Sequence, residues 1–203
     1  MILVVKPQDI PQLLLEVSPV LDPECLVITL AGGVKIATVE HLLVIEHPVV
    51  RAMPNTASQV GQGMTVISPG SLATADHLDR AQKILAAVGK VEVAPEKYLD
   101  AITAVSGSGP AYVMYVAEAM IDAGVLLGLP RGLATQLVQQ TLYGSATMLI
   151  ETGDHPAVLR ENVTSPGGTT AAALRTLESH GVKAAIIDAM EAACRRSEEM
   201  GRS

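Results

Sequence analysis

The sequence predicts an α/β sheet domain over residues 1–94 followed by an all-helical domain over residues 95–203. Three observations carry this. Short apolar runs alternate with helix-period stretches as far as Ala94. From Pro95 onward only helical spacing remains. Apolar residues make up 49% of the chain, yet Phe and Trp are absent and only four Tyr occur, so the core must be aliphatic.

The first half reads as strand and helix by turns. Met1-Ile2-Leu3-Val4-Val5 is a buried parallel strand ended by Lys6-Pro7, and residues 7–16 follow as a helix. Leu26-Val27-Ile28-Thr29-Leu30 is a second strand, stopped by Ala31-Gly32-Gly33, with a helix over 34–43. Strands at 49–53, 64–68 and 91–94 and a helix at 72–88 complete this part. Ligands of such sheets bind beyond the carboxyl ends of the strands. The turns Val5-Lys6-Pro7, Leu30-Ala31-Gly32-Gly33 and Met53-Pro54-Asn55-Thr56 are expected to share that edge. Each alone fits an ordinary strand-to-helix turn; together they are a better signal.

The second half begins with a helix over 96–105, Pro95 suiting its first turn. Ser106-Gly107-Ser108-Gly109-Pro110 reads as a small-residue break. The helix over 111–127 carries only Glu118 and Asp122 as charges, four apart and so on one face. A helix apolar nearly all round must be buried nearly all round, which predicts a homodimer built from this half. Gly128-Leu129-Pro130 ends it. Helices over 133–151, 156–162, 170–179 and 182–200 follow.

Between the third-last and second-last of these lies Asn162-Val163-Thr164-Ser165-Pro166-Gly167-Gly168-Thr169-Thr170. Pro166 cannot sit inside a helix, and the two glycines leave bare backbone. Thr169 and Thr170 open an apolar run, and hydroxyl residues favour helix N-caps. A turn with a cap accounts for these residues. So does a cradle for a carboxylate or phosphate at a helix N-terminus.

Composition bounds the partners. Fourteen Lys and Arg against 21 Asp and Glu give a net charge of −7, which speaks against a general nucleic-acid partner. Cys25 and Cys194 have no metal spacing and fit free thiols in a reducing cytosol. The charge-free span 132–150 contains Gln, Ser and Thr and is not a membrane helix. No signal peptide is recognisable, since Lys6 and Pro7 interrupt the apolar start.

Lys6-Pro7, Ala52-Met53-Pro54-Asn55-Thr56, Ser106-Gly107-Ser108-Gly109-Pro110-Ala111-Tyr112, Gly128-Leu129-Pro130 and the 162–170 segment together resemble pyrroline-5-carboxylate reductase. The resemblance spans essentially the whole chain. It implies a partial Rossmann-type parallel sheet followed by an all-helical dimerisation domain, with dimers that often join into a ring. It implies a cytoplasmic enzyme of proline biosynthesis. The reaction is hydride transfer from NADP in its reduced form, or NAD, to the C=N carbon of 1-pyrroline-5-carboxylate, giving L-proline. Neither a metal nor a nucleophile is required.

The resemblance also implies residue roles. Thr169 and Thr170 bind the substrate carboxylate through their N–H groups, with Ser165 and Gly168 beside them. The Thr170 hydroxyl, the catalytic group, reaches the ring nitrogen. Glu96 lies near the substrate, although a first-turn carboxylate favoured by a helix dipole explains it equally well. Val5, Lys6, Pro7, Leu30, Gly32 and Asn162 contact the cofactor.

The chain departs from the family pattern in places. Ala57 stands where Pro is common, and Leu30-Ala31-Gly32-Gly33 replaces a more usual small-residue run. No G-x-G-x-x-G occurs: neither Gly61-Gln62-Gly63 nor Gly107-Ser108-Gly109 has the third glycine. About 65 residues of the pattern precede its start, a half-Rossmann deficit. Met1 is expected to be internal to a longer protein, or the chain to be a shortened, non-catalytic dimerising subunit. A β-hydroxyacid-type dehydrogenase is disfavoured, because residues 111–151 contain no lysine to act as its catalytic acid.

Overall fold

A computed structural model describes residues 1–201. Five strands form one sheet in sequential order: β1 (Ile2–Leu3), β2 (Val27–Thr29), β3 (Val49–Met53), β4 (Gly63–Pro69) and β5 (Gly89–Val93). Around them lie α1 (Ile10–Val17), α2 (Ile36–Leu42) and α3 (Ala75–Leu85). The alternation read from the apolar runs is therefore present, strand for strand and helix for helix.

Period-two patterning sends neighbouring residues of one strand to opposite faces. Val27 and Val49 join Leu3, Ile10, Leu14, Val39 and Leu43 in one core. Leu26, Ile28, Val50 and Ala52 face the other way and pack with Ile67, Ala81 and Leu85. Helices thus cover both faces of the sheet.

Strands β1, β2 and β3 run parallel, in register Leu3↔Thr29 and Thr29↔Arg51. Their carboxyl ends share one edge, as the turns following them were expected to. The pairing β3–β4 is antiparallel, with Arg51 opposite Ser68. The chain has only residues 54–62 in which to return, too few for the crossover that a parallel neighbour needs. The longer connection through α3 makes β4–β5 parallel again.

The remaining helices are α4 (Leu99–Ile102), α5 (Gly109–Leu126), α6 (Arg131–Thr152), α7 (Pro156–Asn162), α8 (Thr169–Ser179) and α9 (Val182–Met200). The expected small-residue break at 106–110 narrows to a bend at Ser108, between a π turn and α5. Residues Thr103–Gly107 form one π turn, closed by Ser108 N–H donating to the Thr103 carbonyl at 2.7 Å. Pro110 then falls in the first turn of α5, where no N–H is needed.

The chain divides into two units, Met1–Pro110 with residues 189–201, and Ala111–Asp188. The second unit is helical and leaves much apolar surface bare. Of α5 and its end, Met114 is 67% exposed, Tyr115 74%, Leu126 88% and Leu127 83%. Among the described residues no helix is long and apolar enough to cross a membrane.

Candidate functional site

The expected site residues fall into two groups, one in each unit. Val5, Lys6, Pro7, Leu30, Gly32 and Glu96 belong to the sheet unit; Asn162, Ser165, Gly168, Thr169 and Thr170 belong to the helical one.

In the sheet unit, the β1–β2 ladder aligns the two turns. Ile28 N–H donates to Met1 O at 2.9 Å and Leu30 N–H to Leu3 O at 3.0 Å, so Val5 and Leu30 leave the sheet side by side. Pro7 opens the first turn after β1, with Lys6 exposed before it. A cavity of about 480 Å³ is lined by Pro7, Gln8, Gly32, Gly33, Lys35 and Thr38, among others. A Cβ built on Gly32 meets nothing within 4 Å. Bare backbone beside open volume, at the carboxyl ends of parallel strands, is where ligands of such sheets bind.

Glu96 is engaged within this unit. Its Oε1 accepts from Ile36 N–H at 2.8 Å and from Arg51 Nη1 at 2.9 Å. The helix dipole it serves is that of α2, not that of its own turn.

The turn 53–56 and the π turn are joined. Asn55 Nδ2 donates to Ser106 O at 3.1 Å, and Asn55 Oδ1 accepts from Met64 N–H at 3.2 Å. A Cβ on Gly107 would lie 2.7 Å from Met53 Cε. Two motifs some 50 residues apart thus constrain each other.

In the helical unit, Ser165-Pro166-Gly167-Gly168 is a type II turn. Gly168 N–H donates to Ser165 O at 3.0 Å, Pro166 sits at the second position, and Gly167 has φ +68 at the third. Gly168, not a threonine, is the N-cap of α8, and no side chain caps the helix. A hydroxyl cap was expected. The turn places Thr169 and Thr170 already inside the first helical turn, where their side chains cannot reach forward to the N–H groups.

Among the described residues, the N–H groups of Thr169 and Thr170 make no hydrogen bond. Their hydroxyls are also left over. Thr135, Thr147, Thr152 and Thr176 each fold the hydroxyl back onto a carbonyl four residues earlier. For Thr169 and Thr170 that partner would be Ser165 or Pro166, outside the helix. Two N–H donors and two hydroxyls therefore converge on one helix end, with the positive pole of the dipole behind them. Ser165 and Thr169 are exposed and Thr170 half-buried. Asn162 is the exposed last residue of α7, just before this turn.

Sequence reasoning missed Arg51. It is 6% exposed in a central strand, and a buried guanidinium requires a partner. An arginine inside the otherwise apolar run 49–53 was the available signal.

Comparison with known proteins follows the same lines. The family model for pyrroline-5-carboxylate reductase dimerisation matches residues 96–200. A pyrroline-5-carboxylate reductase of Synechocystis is 45% identical over 202 residues, covering 100% of this chain and 75% of that protein. The solved Plasmodium falciparum pyrroline carboxylate reductase with NADP bound is 36% identical, with a TM-score of 0.92 over 98% of this chain and 80% of that one. The pyrroline-5-carboxylate reductase of Coxiella burnetii is 39% identical, with a TM-score of 0.93 over 100% of this chain and 76% of that one.

Proposed function

Because the chain belongs to the pyrroline-5-carboxylate reductase family, we propose that it reduces 1-pyrroline-5-carboxylate to L-proline with NADPH, NADH being the second choice of donor. The observation that supports this reading is the start of α8, where no side chain caps the helix and the N–H groups and hydroxyls of Thr169 and Thr170 make no hydrogen bond among the described residues.

The substrate is a small carboxylate bearing an imine. The Thr169 and Thr170 N–H groups bind its carboxylate, and the Ser165-Pro166-Gly167-Gly168 turn keeps side chains out of the way. Gly168 N–H is committed to the turn, so it shapes the cradle rather than donating to it. The Thr170 hydroxyl hydrogen-bonds the ring nitrogen, which ends the reaction as an amine. When bound, the nicotinamide supplies the hydride that adds to the C=N carbon. Val5, Lys6, Pro7, Leu30 and Gly32 hold and orient it at the sheet edge, and family resemblance adds Asn162 as a further cofactor contact. The NADP bound in the Plasmodium relative supports the preference for NADPH.

The domain over residues 95–203 serves substrate binding and dimerisation, and residues 1–94 serve the cofactor. The exposed apolar residues of α5 and the family model over 96–200 support a homodimer. The test is direct. Purified protein is mixed with 1-pyrroline-5-carboxylate and NADPH, then NADH, and proline is quantified alongside cofactor oxidation. Proline formed in step with NADPH consumed supports the reading. Absence of both binding and turnover with either donor overturns it in favour of a non-catalytic dimerising subunit.

A further inference from the structure

Helix α2 begins without a local cap. Lys35 occupies its N-cap position, makes no side-chain cap bond, and has no acceptor to offer. The acceptor comes from 60 residues away: Ile36 N–H donates to Glu96 Oε1 at 2.8 Å. The same oxygen accepts from Arg51 Nη1 at 2.9 Å. The side chains are 7% exposed for Arg51 and 31% for Glu96.

Both ends of the turn between β2 and α2 are therefore fixed. At one end Leu30 N–H is bonded into the sheet. At the other, Ile36 is held by Glu96. Between them Gly33 adopts φ +78, and a Cβ there would lie 3.1 Å from Met200 Cβ. Of the two glycines, Gly32 is the one where a Cβ would meet nothing within 4 Å.

We propose that Glu96 and Arg51 are positioning residues that hold the turn at residues 30–35 in its cofactor-binding shape. Glu96 acts through the Ile36 N–H, and Arg51 acts through Glu96 by fixing the carboxylate. This rests on the reading of Gly32 as a cofactor contact. Glu96 then governs cofactor affinity, in contrast to the substrate role that family resemblance implies for it.

The experiment measures NADPH dissociation by fluorescence titration, KM for 1-pyrroline-5-carboxylate, and hydrogen exchange of the Ile36 amide. Glu96→Ala is expected to weaken NADPH about tenfold, as loss of a helix cap does, and to unprotect Ile36, with the imine KM unchanged. Glu96→Gln still offers an acceptor and restores most of the affinity, which also serves if the alanine variant folds poorly. Arg51→Lys is expected to fall between Glu96→Gln and Glu96→Ala. A raised imine KM with unchanged NADPH affinity makes Glu96 a substrate ligand and overturns the proposal. So does unchanged NADPH affinity in Glu96→Ala with Ile36 unprotected. Gly32→Val separates the premise, since its side chain enters open volume without disturbing the fold. If that variant binds NADPH normally, the turn is not the cofactor site and both readings fall. If it alone loses binding, only the positioning role fails.

Discussion

Arg51 Nη1 meets Glu96 Oε1 at 2.9 Å, joining the third strand of the sheet to the turn Glu96–Tyr98 within the same unit. The two partners are unequal. Arg51 is buried in a strand whose neighbours on either side are Thr29 and Ser68, neither of them a counter-charge. Glu96 keeps access to water. Removing Glu96 strands a desolvated guanidinium; removing Arg51 leaves a carboxylate that water can still reach.

Stability should reflect this asymmetry. Glu96→Ala is expected to cost about 3 kcal/mol, the lower end for breaking a buried pair. Arg51→Met, which fills the same space with an apolar side chain, is expected to cost about 1 kcal/mol. Urea denaturation of both variants and the double variant checks it. Equal costs would show that the charge on Arg51 is not what the pair satisfies.

The pair also shows what local sequence does not disclose. Strands, helices and the turns at their ends were legible because each is written in nearest-neighbour terms. Short, mainly apolar runs of four or five residues marked β1 to β5, and Pro or Gly stood near most of their ends. The turn before α8 was legible for the same reason, since Pro166 and Gly167 dictate one turn type. Arg51 and Glu96 are 45 residues apart, and no period links them. Nor does local sequence disclose that Asn55 bonds across to the Ser106 carbonyl, within the π turn Thr103–Gly107. The antiparallel return to β4 follows from a connection length, but only once β3 and β4 are known to be neighbours.

The cradle yields a second prediction. Gly167 has φ +68, a conformation that an L side chain adopts with strain. Gly167→Ala is expected to cost about 1 kcal/mol and to raise the substrate KM, because the turn that presents Thr169 and Thr170 is displaced. Thr170→Val keeps the N–H and the shape but removes the hydroxyl. It is expected to lower kcat about a hundredfold while NADPH affinity holds, the magnitude typical of one lost donor in a reacting site. Steady-state kinetics of both variants separate the roles. A Thr170→Val enzyme with normal kcat would mean that the hydroxyl does not touch the ring nitrogen.

The homodimer is tested most sharply on α5. Its sequence is apolar but for the one face that carries Glu118 and Asp122, yet in one chain Val113 is 49% exposed, Met114 67% and Tyr115 74%. Val113 and Met114 line a surface hollow with Ala117, Ile121 and Leu142, whose remaining lining is Glu118, Asp122, Arg131 and Gln139. A two-fold axis places any substitution in the interface twice. Met114→Glu would therefore bury two carboxylates without partners, each costing several kcal/mol, and every 1.4 kcal/mol is about a factor of ten in dissociation constant. Sedimentation velocity at micromolar concentration is expected to show a monomer for Met114→Glu and a dimer for Met114→Leu, which keeps the volume and the apolar character. If Met114→Glu still sediments with the wild type, this face of α5 lies outside the interface and the bare surface must be covered another way.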